Sequence, residues 1–216
     1  MIFWDLDGPI LDVSDKYYSV YRDILLEKGK KPLQKKEYWD LKRAKVSVKN
    51  ILLKTNSDSI IKYFEDLWLS RIETKNYQQL DKLQYNIKNI LGDCTENNRL
   101  VLVTLRRSRK MLLKQLNQLR IIQYFEDILS SGVNIRPRWK IKDDLIKKYI
   151  GQENSDDHIL IGDTETDIEA GKHLNFQTMA ISNGIRNEKI LKQSKPDYIY
   201  SSISEFYTHY VLGKIL

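Results

Sequence analysis

Two carboxylates stand two residues apart near the amino terminus, at the end of an apolar run. The run Ile2-Phe3-Trp4 leads into Asp5 and Asp7, and Gly8 and Pro9 follow. Side chains at i and i+2 of a strand share one face, and Gly8 with Pro9 ends the strand directly after them. Two such acids can bind a hard cation and divide the roles of nucleophile and proton donor. Solvated acids at an ordinary strand end are the alternative, so the pair needs partners elsewhere.

Three further polar residues follow later predicted strands. Thr104 follows the apolar run 100–103, and Asp163 and Asp167 follow the run 158–161. Ligands of open parallel sheets bind beyond the carboxyl ends of the strands, so we expect these side chains to meet the first pair of acids. A helix start is the alternative for each of them, because hydroxyls and single carboxylates are common helix caps.

A lysine near residue 140 is the fourth polar feature. Lys140 and Lys142 both precede the apolar helix positions Leu145 and Ile146. Spacing favours Lys142, and Lys140 stays open as the alternative.

Strands and helices must position these residues, and the sequence predicts that they alternate at both ends of the chain. Strands are predicted at 2–6, 100–104, 128–129, 158–162, 178–181 and 198–200. Between residues 14 and 97 the apolar residues recur only at helical spacing, including the stripe through Leu80, Leu83, Ile87 and Leu91, so no strand is predicted there. This pattern predicts an α/β protein with a three-layered parallel sheet, made of 1–13 and 95–216, and an all-helical domain, 14–94, inserted after the first strand.

Composition and charge narrow the functional classes. The only cysteine, Cys94, excludes an intramolecular disulfide, and no signal peptide or membrane-spanning run is visible, so we expect a cytoplasmic protein. Residues 14–90 hold 17 Lys and Arg against 10 Asp and Glu, whereas the rest of the chain holds 19 of each. This basic excess favours an anionic partner, although a solvated helical surface is the alternative. No nucleic-acid motif stands out, so nucleic acid is an unlikely partner.

Four motifs in chain order resemble those of the haloacid dehalogenase superfamily of phosphohydrolases. They are Asp5-x-Asp7-Gly8 after a strand, Thr104 ending a second strand, a lysine before a helix, and Gly162-Asp163-x3-Asp167 after a third strand. The resemblance covers nearly the whole chain and implies a Rossmann-like catalytic core. The inserted helices look like that superfamily's first, helical type of cap. Within that superfamily the chain looks similar to the phosphoglycolate phosphatase group.

The resemblance implies a catalytic role for each motif residue. Asp5 is the expected nucleophile, which forms an aspartyl-phosphate. Asp7 is expected to protonate the leaving oxygen and later to deprotonate the attacking water. Thr104 is expected to hold the transferring oxygens, and Lys142 to offset their charge.

The resemblance also implies a Mg²⁺ cofactor. Asp5, Asp163 and the backbone carbonyl of Asp7 are the expected metal ligands, and waters complete the octahedron at ~2.1 Å. Asp167 is expected either to support the metal through water or to orient the lysine. Position 9 departs from the family, because Pro9 stands where a threonine is usual.

Substrate contacts beyond the phosphate are expected from two segments. The cap segment 38–45 faces the nucleophile in this superfamily and here carries Lys42 and Arg43. Leu105 and Arg106 follow Thr104, and Arg106 is a candidate for a second anion.

The leading interpretation is a Mg²⁺-dependent phosphatase that acts on a small phosphorylated metabolite. A phosphomutase of the same superfamily is one alternative, and it would retain the phosphate on its product. A non-catalytic protein that binds nucleic acid or an acidic partner through its basic cap is the other.

Overall fold

Strands and helices alternate at both ends of the chain in the computed structural model, which describes residues 1–132, 137–151 and 157–214. The strands are β1 (Ile2–Trp4), β2 (Leu11–Asp12), β3 (Lys82–Leu83), β4 (Leu100–Thr104), β5 (Asp127–Ser130), β6 (Ile159–Gly162), β7 (Gln177–Ile181) and β8 (Tyr198–Tyr200). The helices are α1 (Ser14–Glu27), α2 (Lys35–Arg43), α3 (Val48–Leu53), α4 (Ile61–Arg71), α5 (Lys75–Gln78), α6 (Ile87–Asn97), α7 (Arg109–Leu119), α8 (Arg138–Ile150), α9 (Glu165–His173), α10 (Glu188–Gln193) and α11 (Ile203–Phe206).

Six strands form one parallel sheet in the order β5-β4-β1-β6-β7-β8. Trp4 of β1 lies opposite Leu102 of β4 and Ile161 of β6. Because the three strands run in the same direction and in register, the residues that follow them emerge at one edge of the sheet. The predicted parallel α/β fold is confirmed, and its central strand carries the first motif.

The side chains of β1 alternate between two helical layers. Ile2 and Trp4 belong to the cluster that includes residues of α6, α7 and α11. Phe3 lies on the opposite face, in the cluster that includes Ile146 of α8 and Ala170 of α9. Successive strand residues point to opposite faces, so this partition produces the predicted three layers.

The inserted helices have a hydrophobic core of their own. Its buried residues come from α1 to α4 and include Val20, Tyr21, Tyr38, Ile51 and Phe64. The rings of Tyr21 and Tyr38 stack with their centroids 4.4 Å apart. The apolar stripes of these helices are therefore used for packing within the insertion, as their spacing indicates.

A short antiparallel ribbon joins the entry and exit of the insertion. Leu11 of β2 pairs with Leu83 of β3. The prediction of no strand between residues 14 and 97 is therefore wrong, and Leu83 does not continue a helical stripe. A strand of two residues is too short to show the alternation by which strands are predicted, and its partner is distant in sequence.

The helix α6 packs on the sheet, although the predicted cap range 14–94 includes most of it. Its buried residues Ile87, Ile90, Leu91 and Cys94 share a cluster with the strands. The domain ranges stay a prediction, and this packing favours an end of the cap near β3. No helix within the described ranges is both long and apolar enough to cross a bilayer. The cytoplasmic location stays a prediction.

Candidate active site

Asp5 and Lys142 form a buried ion pair at the carboxyl end of β1. The Nζ atom of Lys142 donates to Oδ1 of Asp5 at 2.6 Å and also to Oδ1 of Asp167. Burial raises the pKa of Asp5 to about 7, against the attraction of Lys142, which lowers it. Burial alone would lower the pKa of Lys142, but Asp167 and Asp5 together raise it above its usual value. Lys142 is therefore protonated and positively charged beside Asp5, the predicted nucleophile.

Asp163 lies next to this pair and is fully buried. Its Oδ2 atom accepts a hydrogen bond from the backbone N–H of Ile185 at 2.5 Å. Its Oδ1 atom has no hydrogen-bond partner among the described residues. A Cβ atom on Gly8 or on Gly184 would stand 1.9 or 2.0 Å from Oδ2, so only glycine fits on either side of this carboxylate. Burial, with the nearby charges of Asp5 and Asp167, raises the pKa of Asp163 well above its usual value.

Asp167 is held by the first turn of α9. Its Oδ2 atom accepts from the backbone N–H and the hydroxyl of Thr164 at 3.0 and 2.7 Å, and these two residues form a capping box. Its Oδ1 atom accepts from Lys142. Because both oxygens are engaged, Asp167 orients the lysine in this structure, which is one of the two roles expected for it.

We name Asp5, Asp163, Asp167 and Lys142 the three-acid cluster. One oxygen from each acid lies within 4.8 Å of the others. Three acids and one lysine leave two negative charges without a counter-ion in this set. Hard oxygen ligands and an unpaired buried carboxylate oxygen are what a divalent cation such as Mg²⁺ requires, so the residues fit the predicted metal.

Asp7 belongs to a different set of charges. Arg106 donates to both its oxygens, from Nε at 2.7 Å and from Nη2 at 2.5 Å, and Lys16 Nζ lies 3.5 Å from Oδ1. Burial alone would raise the pKa of Asp7, but Arg106 and Lys16 hold it well below its usual range. In this structure Asp7 is therefore a carboxylate braced by two cations.

Asp81 completes this second set from the segment between α5 and β3. Its Oδ2 atom accepts from Lys16 at 2.8 Å, from Arg106 at 3.0 Å and from Gln115 at 2.8 Å. We name Asp7, Asp81, Lys16 and Arg106 the balanced cluster, because its two acids match its two cations. It lies beside the three-acid cluster and shares no residue with it.

Thr104, Leu105 and Lys140 are the other residues of the catalytic domain that were predicted for the active site. Thr104 is buried, and its hydroxyl oxygen accepts from the backbone N–H of Arg106 at 3.3 Å. Thr104 and Leu105 both line the chamber in front of Asp5. Lys140 lies at the surface, where it pairs with Asp144 at 3.1 Å. The geometry thus places Lys142 and not Lys140 beside the acids.

The two predicted cap cations lie in different places. Lys42 reaches the chamber, with its Nζ atom 5.2 Å from the ring centre of Tyr17 and 5.8 Å from that of Trp68. Burial, with the like charges of Arg186 and Arg138, lowers the pKa of Lys42 to about 8. Arg43 is not among the residues that line the chamber. It binds the core, because its Nη2 atom donates to the carbonyl of Ser182 at 2.5 Å.

The chamber has a volume of about 230 Å³ and opens into a cleft of about 600 Å³ between cap and core. Ring and aliphatic side chains of α1, α3 and α4 form one wall of the cleft. Seven cations among the described residues line the chamber: Lys16, Lys42, Arg106, Arg107, Arg138, Lys142 and Arg186. This arrangement can hold a phosphate in the chamber and the rest of a substrate in the cleft.

Sequence reasoning missed several residues of this site, notably Lys16, Asp81, Gln115 and Arg186. A signal existed for Lys16, which precedes Val20 and Ile24 at helical spacing and so stands on the apolar face of α1. A lysine on such a face is rarely buried without a partner. Asp81 and Gln115 give no comparable signal.

Comparison with known proteins agrees with this geometry. The family model for haloacid dehalogenase-like hydrolases matches residues 2–181. A search of curated proteins finds no match.

Several solved structures share the fold. A haloacid dehalogenase-like hydrolase from Streptococcus pneumoniae is 21% identical, with a TM-score of 0.74 and 97% of each chain covered. A protein from Haemophilus somnus, described by prediction as a phosphoglycolate phosphatase, is 20% identical, with a TM-score of 0.71 and 96% of each chain covered. A protein from Thermotoga maritima, described provisionally as a β-phosphoglucomutase, is 17% identical, with a TM-score of 0.69, and the match covers 100% of this chain and 99% of that one.

These identities are low, so the solved structures establish the fold alone. The family model spans most of the chain and includes β1 and β6 with the acids that follow them, and β4 with Thr104 at its end. The resemblance predicted from the four motifs is thereby confirmed, and the chain belongs to the haloacid dehalogenase-like hydrolases.

Proposed function

We propose that this hydrolase is a Mg²⁺-dependent phosphatase that cleaves a small phosphate monoester through an aspartyl-phosphate. The observation that carries the proposal is the three-acid cluster at the chamber. Asp5 stands there beside a fixed lysine and beside Asp163, which has an oxygen free of any partner in the described parts of the chain. Asp5 and Asp163 would hold the metal, which when bound offsets the repulsion between carboxylate and phosphate.

In the first step, an oxygen of Asp5 attacks phosphorus, and the bond from phosphorus to the leaving oxygen breaks. Lys142 and Thr104 flank the transferring group and offset its charge. Asp7 passes a proton to the leaving oxygen. Because Asp7 is a carboxylate in the resting protein, that proton arrives with the monoanionic form of the ester.

In the second step, water attacks the phosphorus of the aspartyl-phosphate. Asp7 takes a proton from this water, and the bond between Asp5 and phosphorus breaks. Asp7 returns this proton to the departing inorganic phosphate, which leaves as the monoanion, so both carboxylates are back in their starting state. Asp7 is already ionised in the structure, so it can accept this proton without first losing one.

The leaving group is proposed to extend into the cleft. The chamber has room for the phosphoryl group and a few atoms more, whereas the cleft can hold a larger group. Lys42 stands at the junction of the two, with Arg138 and Arg186 beside it. An acidic or hydroxyl-rich leaving group suits these cations.

A phosphate-release screen over phosphorylated acids, sugars and nucleotides, with and without Mg²⁺, tests the proposal. We expect Mg²⁺-dependent release from several members of the panel. Conversion of a sugar phosphate into an isomer that retains its phosphate would instead indicate a phosphomutase. Failure to release phosphate from any ester, together with salt-sensitive retention of nucleic acid, would favour the non-catalytic alternative.

A further inference from the structure

Asp81 is a buried acid with no place in the proposed chemistry. It is not among the residues that line the chamber, and its side chain has no exposed surface. Its Oδ2 atom nevertheless accepts hydrogen bonds from both cations that bind Asp7. Asp81 therefore touches the partners of the acid/base residue without touching a substrate.

Charge balance explains why an acid is needed at this position. Lys16 is 1% exposed and Arg106 is 4% exposed, and each lies on Asp7. Two buried cations facing one carboxylate would leave one positive charge uncompensated, which is costly in the interior. Burial lowers the pKa of Lys16, and Arg106 lowers it further because the two buried cations repel each other. Asp81 supplies the missing negative charge.

Hydrogen-bond geometry gives Asp81 a second role. The guanidinium of Arg106 is planar and rigid, and it grips Asp7 through Nε and Nη2. The same Nη2 atom also donates to Asp81, and Nη1 donates to Gln115 at 3.3 Å. Because three of its nitrogens have fixed partners, the guanidinium cannot rotate. The plane of the Asp7 carboxylate is fixed with it.

We infer that Asp81 is a positioning residue for Asp7, which it holds in orientation toward the leaving oxygen through Arg106 and Lys16. This inference rests on the proposed phosphatase function. Asp81 lies immediately before β3, the strand by which the chain returns from the cap, and β3 pairs with β2 just after the Asp7 turn. The return segment of the insertion thus contributes to the acid/base geometry.

The test compares two substrates that differ in their need for a proton. Propyl phosphate has an alkoxide leaving group that must be protonated, whereas 4-nitrophenyl phosphate releases a stable phenolate without that help. In Asp81→Asn we expect kcat/KM for propyl phosphate to fall by about 10–100-fold, the scale of a disturbed general acid. For 4-nitrophenyl phosphate we expect a change below about 3-fold. A merely structural role would lower both values equally.

Asp15→Asn is the matched control. Asp15 is also an acid close to β3, where it pairs with Lys82 at 2.7 Å and with Lys35 at 2.5 Å, but it lies at the surface. We expect it to leave the ratio of the two kcat/KM values unchanged. Equal losses on both substrates in Asp81→Asn, or no loss on either, would overturn the inference.

A double variant keeps the test valid if Asp81→Asn does not fold. Asp81→Asn combined with Lys16→Gln removes one charge of each sign, so the cluster stays neutral. We expect it to fold and to have a lower ratio of kcat/KM for propyl phosphate to kcat/KM for 4-nitrophenyl phosphate than the wild type has. The inference would be overturned by a double variant whose ratio of the two kcat/KM values equals that of the wild type. If the wild type hydrolyses neither ester, the proposed function fails and the inference fails with it.

Discussion

The two buried charge clusters lie side by side yet are built on opposite principles. The balanced cluster has as many cations as acids, and Lys16 and Arg106 each pair with both of its carboxylates. The three-acid cluster has a single lysine, and the unpaired oxygen of Asp163 lies within it. The difference teaches that the charges of the balanced cluster cancel within the protein, whereas the three-acid cluster holds an excess of acids that a further cation would balance. Asp5 and Asp7, two residues apart, thus belong to different electrostatic environments.

The largest expected effect is on turnover, and it distinguishes substitution of Asp5 from substitution of Asp7. Asp5→Asn is expected to lower turnover of 4-nitrophenyl phosphate on the order of 10⁴-fold or more, because no covalent intermediate can form. Asp7→Asn is expected to slow turnover but to retain a rapid burst of nitrophenolate, because this phenolate needs no proton to leave. Rapid-mixing absorbance measurements distinguish the two. A burst from Asp5→Asn would show that another residue is the nucleophile.

The second prediction concerns Mg²⁺ at the three-acid cluster. Removal of Mg²⁺ with a chelator is expected to abolish activity, and Mg²⁺ is expected to raise the Tm of the wild type. Asp163→Asn should lose the Tm increase and need at least about 10-fold more Mg²⁺ for activity. Glu169→Gln, an exposed acid on the helix that follows, serves as the control. Activity in the absence of any divalent ion would remove the basis for the contrast between the clusters.

The third prediction tests the balanced cluster as structure. Arg106→Met leaves two buried acids with Lys16 alone, so the free energy of unfolding should fall by about 3–5 kcal/mol. Arg99→Met breaks a pair with Glu126 whose side chains are about half exposed, and it should cost at most about 1 kcal/mol. Urea denaturation measures both. If both variants lost the same free energy of unfolding, the buried Arg106 contacts would stabilise the fold no more than the half-exposed Arg99 pair does.

The smallest effect concerns Lys42, at the border between chamber and cleft. Its pKa of about 8 lies below the ordinary value, so the side chain is charged below that pH and loses its charge above it. With an acidic leaving group, KM should rise as pH increases through 8. Lys42→Gln should raise KM by about 10-fold at pH 7 and remove this rise. Arg138, Arg186 and Glu165 face Lys42, and the side-chain contact with Arg186 helps to hold the pKa of Glu165 below its usual value against the effect of burial. A pH-independent KM in the wild type would contradict the assignment.

Much of the site could be predicted because parallel strands end at one edge. The acids after β1 and β6 and the hydroxyl after β4 are brought together by strand register, which short apolar runs indicate well. Lys142 was indicated by its spacing to the apolar face of α8, and its contacts with Asp5 and Asp167 agree with that role.

The rest depends on contacts that no local pattern encodes. Asp81 meets Lys16 across 65 residues, and Gln115 meets Asp81 across 34. Arg106 was expected to bind a second anion of the substrate, but its side chain is engaged by Asp7, Asp81 and Gln115. That role stays a prediction without a contact to support it. Pro9 departs from the family pattern, yet Asp5 and Asp7, which precede it, contact Lys142 and Arg106 respectively.

The bond between Arg43 and the core has a consequence for how the enzyme cycles. Arg43, at the end of α2, donates to the carbonyl of Ser182, and its own carbonyl accepts from the backbone of Asn187 at 3.1 Å. Between these two anchor points lies Ile185, whose N–H holds Asp163. Any motion that lifts α2 from the sheet must break both anchors, which lie on either side of the residue that holds Asp163. If Asp163 holds Mg²⁺ as proposed, one short loop would link the position of α2 to the binding of that ion.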